Sequence, residues 1–299
     1  PLVLATLPVP ATAAQKHEAA STGAALWAVA DETTQQAYDQ PARALAALDR
    51  QLRTKEAGSA DWRVLLRSRG MVAAVGNRAA EAESAARALA TARPLGQADA
   101  TVVRMLLADA QGASPAAIDL AEQAVAAYAQ ACPPRPDECE HRGLWTAQQT
   151  LARHLLYQGK AARSRTVALA AGETAKQAQD SGRQAQSLAL AAEASAVVGE
   201  LDQALPLRAQ AQRLTRLDGT PRLGARMALF ESSWHAQRGD TALARRVVEQ
   251  ALPLALQAGS PRLHAKLLIN LSDLHLLRHA CRAGCRRRRR CSPRPRSGS

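Results

Sequence analysis

Five cysteines, seven histidines and four tryptophans are the side chains of this 299-residue chain whose types are best suited to chemistry. Cys132 and Cys139 bracket Pro-Pro-Arg-Pro-Asp-Glu, and His141 follows two residues on. Three readings of this group stay open. In an oxidising compartment the two cysteines would close a short loop as a disulfide, worth about 2–3 kcal/mol of stability. In a reducing one they would remain free thiols. A metal would draw on Cys132, Cys139 and His141, but no fourth ligand stands at a recognised spacing. Cys281, Cys285 and Cys291 follow a C-x3-C-x5-C pattern that corresponds to no zinc motif.

Catalytic patterns are missing. The chain contains no G-x-G-x-x-G, P-loop, G-x-S-x-G or H-E-x-x-H string, and its carboxylates are scattered rather than paired for acid–base work. His154, His235 and His275 fall inside helical stretches, where packing or a seam between helices is the plainer role. Trp27, Trp62, Trp145 and Trp234 read as packing anchors. Aromatic residues make up only 3% of the chain, which argues against a base-stacking surface for nucleic acid. The sequence therefore marks no catalytic, cofactor-binding or metal site, and no cofactor is expected.

The elements that hold these residues obey one rule. Gly159, Gly199 and Gly239 stand 40 residues apart, each between two alanine-rich stretches. Gly219-Thr-Pro-Arg-Leu-Gly-Ala recurs 40 residues later as Gly259-Ser-Pro-Arg-Leu-His-Ala. A fixed step of this size predicts a stack of repeated helix pairs. In the heptapeptide, glycine ends one helix, Thr220 or Ser260 caps the next, and Pro221 or Pro261 occupies its first turn. Alanine, leucine, glutamine and arginine dominate, so every element is expected to be α-helical.

Small residues recur with the same step. Ala152, Ala192 and Ser232 precede the turn glycines; Ser164, Ala204 and Ala244, then Ala171, Ala211 and Ala251, follow them. With these positions the chain resembles the tetratricopeptide repeat family, in longer units than that family's usual ones. Large residues typical of the family are replaced by Gln148, Leu188, Ala228 and Leu268 at one place, and by Leu155, Ser195, His235 and His275 at another. The resemblance implies an all-α, right-handed solenoid of antiparallel helix pairs. It also implies a concave groove, lined by first helices, that takes a protein or peptide partner. Carried over position by position, the groove contacts are Gln149, Arg153, Tyr157, Glu193, Arg226, Ser233, Gln237, Lys266, Asn270 and Asp273. Weaker copies at Gly76 and Ala88, and at Gly112, Ala117 and Ala124, extend the array towards the N-terminus.

This ruler divides the chain into a degenerate array over 15–131, an insertion loop over 132–143 and a regular array over 144–279. Both flanks depart from it. Residues 1–14 are apolar and end in small residues, resembling the remnant of a secretory signal peptide, which would place the chain in the periplasm; a proline-broken, disordered terminus is the other reading. The apolar run is too short to span a membrane. Formal net charge is +13, but eight arginines lie in residues 280–299 without one acid, and the rest of the chain carries only +5. A disordered basic tail would suit nucleic acid or an acidic partner. A shifted reading frame, turning alanine codons into arginine codons after residue 278, accounts for the same run and is testable in the coding DNA. The export-like start, the alanine-rich repeats and Leu268-Leu-Ile-Asn-Leu-Ser-Asp-Leu-His-Leu resemble the N-terminal sensory region of bacterial diguanylate cyclases with a GGDEF domain. That resemblance implies signal reception, by a sensor or by a cyclase lacking its catalytic domain, rather than catalysis in these residues.

Overall fold

A computed structural model describes residues 39–92, 95–131 and 141–290, with side chains as far as residue 276. The signal-like segment 1–14, Trp27, the Cys132–Cys139 loop and residues 291–299 lie outside the described residues. Those described form twelve α-helices and no strand. They fall into two compact units that divide after Gly112, one helix before the 132–143 insertion.

The first unit holds α1 (Pro41–Leu52), α2 (Ala60–Val75), α3 (Ala79–Ala90) and α4 (Gly96–Ala110). Ser59 starts α2 by accepting the Trp62 N–H at 3.2 Å. Helix α2 touches α1, α3 and α4. Gly70 permits that crowding, since a Cβ there would stand 2.8 Å from Val103 of α4. Arg63 and Arg67 of α2 converge on Asp99 of α4, which is fully buried; Arg67 donates to Asp99 Oδ1 at 3.1 Å.

The second unit continues with α5 (Ser114–Ala131), α6 (His141–Tyr157), α7 (Ala161–Gln177), α8 (Ser181–Val198), α9 (Leu201–Asp218), α10 (Pro221–Gln237), α11 (Thr241–Gln257) and α12 (Pro261–Arg290). Each helix packs on the next, and first helices of successive pairs also touch, α6 on α8, α8 on α10 and α10 on α12. This sequential packing is that of a helical-repeat stack. The turn glycines at 159, 199 and 239 adopt φ of +76°, +91° and +81°, the left-handed region that glycine enters without strain. Thr220 and Ser260 cap α10 and α12 through the N–H groups of Leu223 and Leu263.

The small residues sit at the seams. Ala152 and Ser232 on first helices, and Ser164, Ala204 and Ala244 on second helices, are fully buried, with Ala192 nearly so. At the α6–α7 contact the Ser164 hydroxyl donates to the Ala152 carbonyl at 2.7 Å, a bond that holds the two backbones close. Helix α12 does not turn near residue 279, the place the 40-residue step marks; it continues to Arg290, through the start of the arginine run.

Candidate functional site

First helices of successive pairs are tied to one another across 38 to 42 residues of sequence. From α6 to α8, Trp145 donates its indole N–H to Ser187 Oγ at 2.9 Å, and that hydroxyl reaches Gln149 Oε1 at 3.1 Å. From α8 to α10, Arg226 donates to Gln186 Oε1 at 2.7 Å and Ser233 donates to Glu193 Oε1 at 3.0 Å. From α10 to α12, Ser232 donates to Asn270 Oδ1 at 2.8 Å. Residues one repeat apart face the same way on adjacent helices, so the repeat itself creates these pairs.

This ladder changes the meaning of the expected groove contacts. Gln149, Glu193, Arg226, Ser233 and Asn270 bond neighbouring helices, and Gln237 Nε2 adds a 3.4 Å contact to Ser233 Oγ. Arg153 is half-buried on the same series of helices, while Tyr157, Lys266 and Asp273 are exposed. His154 is buried, as is Trp234, whereas His275 is exposed. Trp145 is half-buried with the Arg183 guanidinium 5.0 Å from its ring centre.

A second cluster lies where α8, α9 and α10 meet. Arg208 of α9 grips both carboxylate oxygens of Glu231 on α10, with its Nε 3.1 Å from Oε2 and 3.2 Å from Oε1. His235 Nε2 stands 3.5 Å from the same guanidinium and 4.0 Å from Glu231. Arg208 also lies 5.2 Å from the Trp234 ring centre, and Arg238 approaches that ring at 5.7 Å. Glu193 borders the same cleft, and burial pushes its carboxyl above the usual range, with the Ser233 hydroxyl pulling the other way. The cleft has a free volume of about 10 Å³, room for one water molecule.

Arg208 and Glu231 were invisible to motif reading, yet their register betrays them. Forty residues either side of Arg208 stand Ala168 and Val248, both fully buried. Glu231 occupies the place of Leu151, Ala191 and Leu271, of which the first two are buried. A charge where every copy is apolar is the signal that could have found them.

Among the described residues no group of three His, Cys, Asp or Glu side chains is arranged to hold a metal, and no helix is long and apolar enough to cross a membrane. A surface depression of about 490 Å³ lies between the turn after α6 and the end of α8. It is open, and its walls combine the apolar Ala161, Ala162, Val197 and Val198 with the charged Lys160 and Arg163.

No family model matches the sequence, and no curated protein matches it. Among solved structures, BtubC (BKLC) from P. vanneervenii is similar over 78% of this chain and 96% of its own, at 18% identity and a TM-score of 0.47. Nothing about function follows from a likeness of that degree.

Proposed function

We propose that this chain is a protein-interaction scaffold, a right-handed tetratricopeptide-like solenoid whose first-helix face takes an extended segment of a protein or peptide partner. Its place would be the extracytoplasmic sensor part of a bacterial signalling protein, receiving a signal rather than catalysing a reaction. The sensory reading rests on the sequence resemblance to the GGDEF cyclases.

One observation carries the binding role. Two rows of polar side chains run along the first helices at the repeat step: Thr146, Gln186, Arg226 and Lys266, and Arg153, Glu193, Ser233 and Asp273. Each row is half-buried along α6 to α10 and exposed on α12. A row of polar side chains with a fixed spacing, offering donors and acceptors, suits the backbone of an extended peptide. Bonds within the row hold the side chains in place before a partner arrives, which reduces the ordering cost of binding.

The test is selection of extended peptides from a random library against the full chain. Enriched peptides should lose affinity at least tenfold when Lys266→Glu and Asp273→Lys reverse the exposed ends of both rows, with the melting curve unchanged. Failure to enrich any peptide, or enriched peptides indifferent to both reversals, would overturn the reading.

A further inference from the structure

The turn between α8 and α9 is apolar at positions where the flanking repeats are polar. Val197 and Val198 are 53% and 43% exposed. Their copies one repeat later are Gln237 and Arg238, and the copy of Val198 one repeat earlier is Gln158, all three exposed. The change continues into α9. There Leu201 is 40% exposed at the place of Thr241, and Leu205 is 49% exposed at the place of Arg165 and Arg245. Single surface hydrophobes are ordinary, but these four lie together in residues 197–205.

Val197 and Val198 form one wall of the 490 Å³ depression, and Gly159 to Arg163 form the other. Ala161 and Ala162 leave room there, at the places where α9 begins with Leu201 and Asp202. Among the described residues the lining holds two cations, Lys160 and Arg163, and no acid. Arg163 already donates to Glu122 Oε1 of α5 at 2.7 Å. Lys160 is exposed, and its ammonium makes no hydrogen bond or ion pair among the described residues. Its copies are Glu200 and Asp240, so the cation as well as the apolar wall is particular to this place in the stack. An apolar slot with an unengaged cation at its edge complements an aliphatic side chain that has a carboxylate close by. A flat anionic lipid surface suits it less. The valines line a concavity, and Glu122 and Glu200, paired with Arg163 and Arg165, would be brought towards the headgroups.

We infer that this depression docks a segment of a partner protein in which an aliphatic residue stands next to Asp or Glu. The aliphatic side chain enters between Ala161 and Ala162 on one side and Val197 and Val198 on the other, and the carboxylate meets Lys160. The surface lies at a turn between helices and does not rest on peptide binding along the first-helix rows.

The flanking repeats supply substitutions that the fold accepts: Val197→Gln and Val198→Gln install the residue types of Gln237 and Gln158, and Lys160→Glu that of Glu200. Random displayed peptides are selected in parallel on the full chain and on the chain carrying both valine substitutions. Peptides retained by the unchanged chain are labelled and titrated by fluorescence anisotropy. Those that need the valines should share an aliphatic residue beside Asp or Glu and bind the double variant about tenfold more weakly. Lys160→Glu should weaken them about threefold at low salt and less at high salt. Lys266→Glu, on the first-helix rows, should leave their affinity unchanged. Absence of any valine-dependent peptide overturns the inference, as do valine-dependent peptides that lack an acid or are indifferent to Lys160→Glu. Sedimentation of the chain with phosphatidylserine vesicles, abolished by the double variant, would assign the surface to a membrane. Self-association abolished by the same variant would assign it to a second copy, and either result overturns the inference.

Discussion

Arg208 and Glu231 meet across the α9–α10 seam at the register where the neighbouring seams pair Ala168 with Ala191 and Val248 with Leu271. One junction of the stack is thus held by a charged clamp and the junctions on either side by apolar contact. Glu193 and Trp234 border the clamp in one cleft, and His235 stands within 4.0 Å of Glu231.

The clamp should be costly to halve and inexpensive to replace. Its side chains are 23% and 17% exposed, which leaves a lone partner poorly hydrated. Arg208→Met should destabilise by about 2 kcal/mol, and adding Glu231→Leu should restore or exceed the original stability, because an apolar pair of similar volume avoids the desolvation cost. Urea denaturation of the singles and the double gives the coupling. Additive losses would show that the pair does not act as a unit.

Glu193 links stability to pH with a defined sign. Its carboxyl is pushed up mainly by burial, so the folded state holds the proton more tightly than the unfolded chain does. Stability from this group is therefore present at low pH and declines as pH rises from the ordinary glutamate range through the raised value. Glu193→Gln should remove that decline and be the more stable form at neutral pH, as measured by denaturation at a series of pH values. Glu83 in the first unit has the opposite sign: the Arg104 guanidinium holds its carboxyl below the usual range, so its contribution fades as pH falls. A decline with rising pH that survives Glu193→Gln would assign it elsewhere.

The small residues set how closely the helices approach. Ser164→Ala should cost about 1 kcal/mol, the value of its bond to the Ala152 carbonyl, since Ala204 and Ala244 show that the place accepts a methyl group. Ala204→Leu should cost about 3 kcal/mol, because a fully buried site has no room for three more carbons. Equal effects of the two substitutions in thermal melts would refute close packing at this row.

In the first unit, Asp99 is buried between Arg63 and Arg67. Asp99→Ala removes the anion and leaves both guanidinium groups in its former neighbourhood, which should cost about 3–5 kcal/mol. A loss below 1 kcal/mol would mean that water reaches the site.

The repeat step was legible in the sequence because turn glycines and seam alanines tolerate few alternatives. It failed to flag the turn at Gln179, which stands 40 residues before Gly219 and adopts φ +55° without being glycine. There Asp180 caps α8 by accepting the Arg183 N–H at 2.8 Å, so a polar cap accompanies the missing glycine. Placement of the expected groove residues on first helices was also legible, but their bonding was not. Partners such as Glu193 and Ser233 are 40 residues apart, and only the stacking of α8 on α10 brings their side chains together. The Arg208–Glu231 clamp escaped notice because a lone charge reads as solvated until its register is compared with its copies.

In the second unit the first helices α6, α8, α10 and α12 pack one on the next, and an equal step between them would align the polar rows. Spin labels at Tyr157, Val197 and Gln237, in a chain with its own cysteines replaced by serine, measure that step directly because all three positions are exposed. The 157–197 and 197–237 distances should be equal, with 157–237 clearly longer than either. Unequal steps, or a 157–237 distance shorter than one step, would mean that the first helices do not keep a common repeat.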